Sequence, residues 1–112
     1  MVIEKYFPDR GDVIWLDFDP AKGHEQKGSR PALVISPVSY NKKTDMALVC
    51  PITSSTKNYP FEEALEVKEL TGAVLVDQIR SVDWKARTAH FIIKAPPDLL
   101  LRVLRKLQLL IN

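Results

Sequence analysis

A single cysteine, Cys50, stands in this chain of 112 residues. One cysteine excludes an intrachain disulfide and any zinc site built from several thiolates. Its neighbours in Ala47-Leu48-Val49-Cys50-Pro51-Ile52 are apolar, so it is expected to pack as a small buried hydrophobe. Glycine is scarce as well: the chain has 4, and none is spaced as a phosphate-cradling loop. No apolar run approaches the length of a membrane span, and no charged-then-apolar leader is visible. The expectation is a cytoplasmic protein without membrane contact. Repeats, low-complexity tracts and Gly/Ser-rich linkers are absent too, so the length implies one domain over residues 1–112.

An excess of one charge is also missing. The formal net charge is +2, which does not announce a partner. The distribution is more informative. Lys22, Lys27, Arg30, Lys42 and Lys43 crowd one stretch against Glu25 alone, and a second basic stretch runs from Arg80 to Lys106. Acids collect in the first twenty residues and in Glu62–Glu69. Such segregation gives either ordinary solvated faces or one positive surface on a nearly neutral protein.

What is present is mostly β pattern. Asp12–Asp19 is rich in Val, Ile, Trp, Leu and Phe and predicts a strand ended by Pro20. Pro31 opens a second strand, as the first residue of a strand tolerates proline, and Pro37 closes it. Val38–Asp45 predicts one or two helical turns. Met46–Thr53 predicts a central strand and Ser54–Pro60 a loop. Phe61–Val67 alternates weakly, Thr71-Gly72 marks a turn, and Ala73–Ile79 is β-rich. Val82–Ala86 predicts a turn or short helix, and Arg87–Lys94 a last strand. From Pro96-Pro97-Asp98 the period becomes helical, with Leu100, Val103, Leu104, Leu107 and Leu110 on one stripe. Leu99, Leu101, Leu109 and Ile111 widen that stripe beyond one face, so this helix covers the sheet and either more core or a second subunit. Many short strands and one terminal helix predict an α+β fold, mainly β, with a small bent sheet or barrel.

Three constellations carry possible chemistry. Glu25, Arg30 and Thr53 meet if the strands beginning at Pro31 and Met46 are neighbours. A guanidinium beside a hydroxyl and a carboxylate suits a phosphate, because its paired donors hold two oxygens. A surface Glu–Arg pair of little consequence is the competing reading. His24 and His90 would serve as an acid–base pair only if the fold joined them. Asp17, Asp19 and Glu25 would chelate a metal, but no histidine motif or calcium loop accompanies them. Trp15, Phe18, Tyr40 and Tyr59 offer aromatic faces for unpaired bases, with Phe18 expected in the core and Tyr40 and Tyr59 expected exposed. Ser54-Ser55-Thr56-Lys57 adds hydroxyls and a cation beside Thr53.

The stretch GDVIWLDFDPAKGHEQKGSRPALVISPVSYNKKTDMALVCPIT, followed by YPFE and LVDQIRSVDWKAR, resembles the MazF/PemK family of toxin endoribonucleases. The pieces Gly11-Asp12, Glu25-Gln26, Arg30-Pro31, Pro51-Ile52-Thr53 and Asp77-Gln78 come in that family's order, and the resemblance runs from Gly11 to the terminal helix. It implies an SH3-like barrel with a C-terminal helix, of the kind shared by MazF, PemK and CcdB, assembled as a homodimer. It implies sequence-specific cleavage of single-stranded mRNA without metal or other cofactor, and a MazE-like antitoxin whose flexible acidic segment occupies the RNA groove. The matching active-site residues are Arg30 and Thr53, with Glu25 beside them. Gln26, Ser54, Lys57 and Gln78 are expected to contact RNA. His24 lies at a position that the family motif does not fix.

In a metal-free ribonuclease the 2′-OH attacks the neighbouring phosphate. Arg30 then stabilises the phosphorane, Thr53 positions the phosphate, and Glu25 takes the proton or orients Arg30. Arginine itself is an awkward base, because its pKa exceeds about 12. Two other functions use the same fold. A related toxin family binds DNA gyrase and ends in Trp-Gly-Ile, whereas this chain ends Leu109-Leu110-Ile111-Asn112. A catalytically silent RNA-binding module would keep the same motifs.

Overall fold

A computed structural model describes residues 5–19, 28–68 and 70–112. Strands β1 (Asp12–Asp17), β2 (Ser29–Val34), β3 (Met46–Thr53), β4 (Glu62–Val67), β5 (Leu70–Leu75), β6 (Arg80–Asp83) and β7 (His90–Lys94) form one antiparallel sheet. Helix α1 (Val38–Thr44) links β2 to β3, a 3-10 turn (Val76–Gln78) links β5 to β6, and α2 (Pro97–Ile111) closes the chain. The strand order is β4-β5-β3-β2-β1-β7, with β6 paired to β3 as well. The sheet curls into a half-barrel, mainly β with a C-terminal helix, as the sequence implied.

Curling lets both faces of β1–β3 be buried. Val13, Leu33, Cys50 and Ile52 point into one core with Val74, Leu99, Val103 and Leu107. Ile14, Leu16, Ala32, Val34 and Val49 point the other way, into a second core with Phe18, Val82 and Trp84. Alternate side chains leave opposite faces of a strand, so one apolar run feeds two cores. That explains why these strands lack polar alternation. Cys50 is fully buried, as its apolar neighbours predicted.

Most boundaries follow the sequence, and β3 matches from end to end. The differences have physical reasons. β2 begins at Ser29, two residues before Pro31, and its pairing with β3 starts only at Ala32. Pro31 therefore lies where that edge of β2 has no registered partner strand. On its other side β3 changes partner: Met46–Val49 pair β6, and Ile52–Thr53 pair β5. Pro51 falls in the gap between the two, where a missing N–H is tolerated. Val82 belongs to β6 rather than to a turn or helix, and the bend follows at 84–88. The last strand accordingly starts at His90 rather than Arg87.

Thr71-Gly72 is not a turn. Both residues lie within β5, and the hairpin bends between Val67 and Leu70, where Lys68 has a φ of 48°. Gly72 is there for closeness: a Cβ on it would lie 2.1 Å from the Thr53 carbonyl oxygen. Absence of a side chain lets β5 cross the end of β3.

α2 begins at Pro97, with Asp98 in its first turn bonded to Arg102 at 3.0 Å. It buries Leu99, Val103 and Leu107. Leu100 and Leu104 pack partly buried against the same core, while the end of the widened stripe stays outside: Leu109 is 74% and Ile111 82% exposed. The helix is tied to β4 through Glu63, which accepts from Arg102 at 2.6 Å and lies 2.9 Å from Lys106. Burial raises the Glu63 pKa, but Lys106 and Arg102 together outweigh it and hold the carboxyl below its ordinary value of 4.5. A lowered folded-state pKa adds stability above the unfolded value and loses it as pH falls through the folded one. Glu63→Gln is expected to lower Tm by about 5 °C at neutral pH. The gap should narrow once pH falls below 4.5 and close as it passes through the lowered folded-state value. Thermal melts of both proteins across pH check this, and a gap that persists undiminished into acid would refute it.

Candidate active site

Thr53 ends β3 and is only 4% exposed. Its Oγ1 accepts the Ser55 amide at 3.0 Å, which leaves the hydroxyl proton to donate elsewhere. Arg30 sits on β2, paired with Leu16 of β1. β2 and β3 pair as Ala32↔Pro51. The ladder ends at that pair, and alternation along each strand puts Arg30 and Thr53, two residues beyond it, on the face of the second core. A guanidinium and a hydroxyl thus share one face where the paired strands run out. Phe18 lies on the same face, and the Arg80 guanidinium stands 5.6 Å from its ring centroid. Arg80 adds a second cation to this mouth. The sequence reading missed it, although its place two residues after Asp77-Gln78 was the available signal.

Beyond Thr53 opens a cleft of about 590 Å³, lined among others by Thr53, Ser55, Lys57, Tyr59, Asp77 and Gln78. Its outer wall, the 54–60 loop, is held at defined points. The Lys57 amide bonds both carboxylate oxygens of Glu62, at 3.0 and 3.1 Å. Asn58 takes a left-handed φ of 54°. The Tyr59 hydroxyl donates to Asp77 Oδ2 at 2.6 Å, and this bond raises the phenol's pKa. Tyr59 is 45% exposed, so its ring is available as well as anchored. Tyr40, also expected outside, is 43% exposed.

The other candidates divide. Thr53, Lys57 and Gln78 share this cleft. Ser54 lines a different one, of about 600 Å³, with Thr56, Thr71, Gly72 and Arg102. Glu25 and Gln26 lie outside the described residues, as does His24. His90 is on β7, opposite Trp15. Asp17 and Asp19 spend carboxylate oxygens on backbone amides: Asp17 on Asp19 at 3.0 Å, and Asp19 on Gly28 at 2.8 Å. Among the described residues no three His, Cys, Asp or Glu side chains gather as metal ligands. The Cys50 thiol is pushed up to about 12 by burial and then by Asp77, so it is not a nucleophile here. The remaining chemistry is that of an anion site. Cations and a hydroxyl border a cleft with an exposed aromatic ring, and that combination suits a phosphate with an unpaired base beside it.

Residues 9–111 match the family described as PemK-like, MazF-like toxin of type II toxin-antitoxin system. The chain is 46% identical over 111 residues to the endoribonuclease toxin MazF of Escherichia coli K12, covering 99% of this chain and 100% of that one. It is similar to the crystal structure of MazF from Deinococcus radiodurans, with a TM-score of 0.92 and 47% identity over 96% of this chain and 98% of that one. A MazE-MazF crystal structure from the same organism superposes at a TM-score of 0.86 with 47% identity, over 96% and 97% of the two chains.

Proposed function

The chain belongs to the PemK-like, MazF-like toxins of type II toxin-antitoxin systems, and from that premise we propose that it is a metal-independent, sequence-specific endoribonuclease of single-stranded mRNA. It works in the cytoplasm as a homodimer, and residues 1–112 form its one catalytic domain. A MazE-like antitoxin with an acidic flexible tail neutralises it. Relatives named as endoribonucleases and the MazE-MazF complexes support this reading. The exposed apolar end of α2, with Leu109, Leu110 and Ile111, supports a second copy.

The observation that supports the catalytic assignment is the alternation of β2 and β3, which sets Arg30 and Thr53 on the same face where the β2–β3 ladder ends at Ala32↔Pro51. The reaction needs few groups. The 2′-oxygen attacks phosphorus and loses its proton to a base, for which Glu25 is the candidate. Charge builds on the phosphorane oxygens, where Arg30 donates two parallel N–H bonds and Thr53 one O–H bond. The P–O5′ bond then breaks, and the leaving oxygen takes up a proton. The products are a 2′,3′-cyclic phosphate and a 5′-OH. Gln26, Lys57 and Gln78 contact the bases and backbone on either side, and Ser54 extends the contact around the strand end.

Incubation of the purified protein with a long unstructured RNA in EDTA tests the assignment. Discrete cuts with cyclic-phosphate and 5′-OH ends are expected, and the same sequence within a duplex should resist, because paired bases cannot be splayed and read. Failure of the folded protein to cut any single-stranded RNA would overturn it.

A further inference from the structure

The β1–β2 ladder has two faces at the site end, and only one carries Arg30. Trp15 and Asp17 of β1 pair with Pro31 and Ser29 of β2 on the opposite face, where Trp15 is 44% exposed. A cleft of about 350 Å³ opens there, lined by Trp15, Asp17, Ser29, Arg87, Thr88 and His90 together with Ala86. That is the lower range of volumes that hold small ligands, roughly 300 Å³ upward.

Arg87 is anchored rather than loose. Its Nη1 donates to the carbonyls of Asp17 at 2.8 Å and Asp19 at 2.7 Å. The bend that carries it is tied down by the Arg87 and Ala86 amides on Asp83, at 3.0 and 2.8 Å. Its Nε and Nη2 hydrogens bond nothing among the described residues. A half-exposed indole therefore stands beside a fixed guanidinium with donors to spare, and the hydroxyls of Ser29 and Thr88 add both donors and acceptors.

We propose that this cleft binds an unpaired nucleobase of the RNA, stacked on Trp15 with its polar edge on Arg87, as a second contact outside the catalytic cleft. The proposal rests on the ribonuclease reading. Charge favours a base over a phosphate: the Asp17 carboxylate shares the cleft with Arg87, so an anion would meet repulsion that a neutral base avoids. Ser29 adjoins Arg30 in the chain, so an RNA engaged at Arg30 reaches this face within a few nucleotides. The site thus lengthens the RNA footprint without touching the reacting bonds.

Two single-stranded RNAs with the same cleavage site test it, one trimmed to that site and one extended by about ten nucleotides on each side. Trp15→Ala should raise KM for the extended RNA roughly ten-fold, the worth of one base–aromatic stack, and leave kcat unchanged. KM for the trimmed RNA should not move, and Trp15→Phe should recover most of the loss. Extended RNA should also quench tryptophan fluorescence in Arg30→Ala, and the quenching should vanish in Arg30→Ala/Trp15→Phe. Equal KM changes on both RNAs, or no Trp15-dependent quenching, would overturn the base site. So would a Trp15 defect confined to antitoxin binding. If wild type cuts neither RNA, the ribonuclease reading fails by itself, and the quenching still decides whether Trp15 meets a base.

Discussion

Arg30→Ala is expected to lower kcat/KM on single-stranded RNA by at least about 10³-fold, with little change in Tm. Removing one preorganised donor from a developing oxyanion costs about 10²–10³ in rate. In the proposed mechanism Arg30 supplies two parallel donors and a full charge to the phosphorane, so the upper end of that range applies. The fold should tolerate the change. Arg30 is partly exposed at a strand end, beyond the point where β2 is paired on both sides, and neither core depends on it. Arg30→Lys is the informative companion. It keeps the charge but loses the planar fork, and should fall between wild type and Arg30→Ala. Rates on a defined oligonucleotide, with melts of all three proteins, check both claims. An Arg30→Ala protein with half the wild-type rate would remove Arg30 from the mechanism.

Gly72→Ala should damage stability and activity together. The new Cβ would lie 2.1 Å from the Thr53 carbonyl oxygen and 3.3 Å from the Ser54 Cα. Both are backbone atoms, so no flexible side chain can yield. The φ of Gly72 is not in the left-handed region, so the cost is steric rather than conformational. Overpacking a core costs about 1–3 kcal/mol, and a backbone clash belongs at the upper end. If β3 relieves it by moving, Thr53 moves. A shift of about 1 Å in a positioning group costs roughly 100-fold in rate. Chemical denaturation and single-turnover cleavage by the folded fraction measure the two effects separately. A variant with unchanged Tm and rate would show that β5 does not support Thr53.

Gly72 also marks where local sequence signals stop. A Thr-Gly pair between β-rich runs is an ordinary turn signal, and nothing nearby shows that another strand crosses there. β3 was legible because its apolar run is bounded by polar residues on both sides. α2 was legible because its period changes at Pro96-Pro97-Asp98. Burial of β1–β3 on two faces was not legible, because a continuous apolar run does not say how many cores it feeds. The site follows the same division. Spacing alone left Glu25, Arg30 and Thr53 open to an ordinary surface reading, and only the family resemblance singled out Arg30 and Thr53; strand alternation sets both on one face. Lys57 and Gln78 reach one cleft because the 54–60 loop folds back on the 3-10 turn through the Tyr59–Asp77 bond. Ser54, adjacent in sequence to Thr53, lines the other side of the strand end, as alternation along an extended chain dictates.

The pairing of β1 with β7 bears on the chain's synthesis. β1 finds its outer partner only when His90–Lys94 is available, with Trp15 waiting for His90 and Asp12 for Lys94, roughly eighty residues later. Translation at about 5–20 residues per second puts several seconds between the two. In that interval β2 to β6 are all made, so β1 is still waiting for its second neighbour when the rest of the sheet has emerged. A growing chain thus keeps one edge of β1 unpaired until its last strand is made. An open strand edge is a template for pairing with another chain, so crowded synthesis is when this fold is most exposed to joining a neighbour.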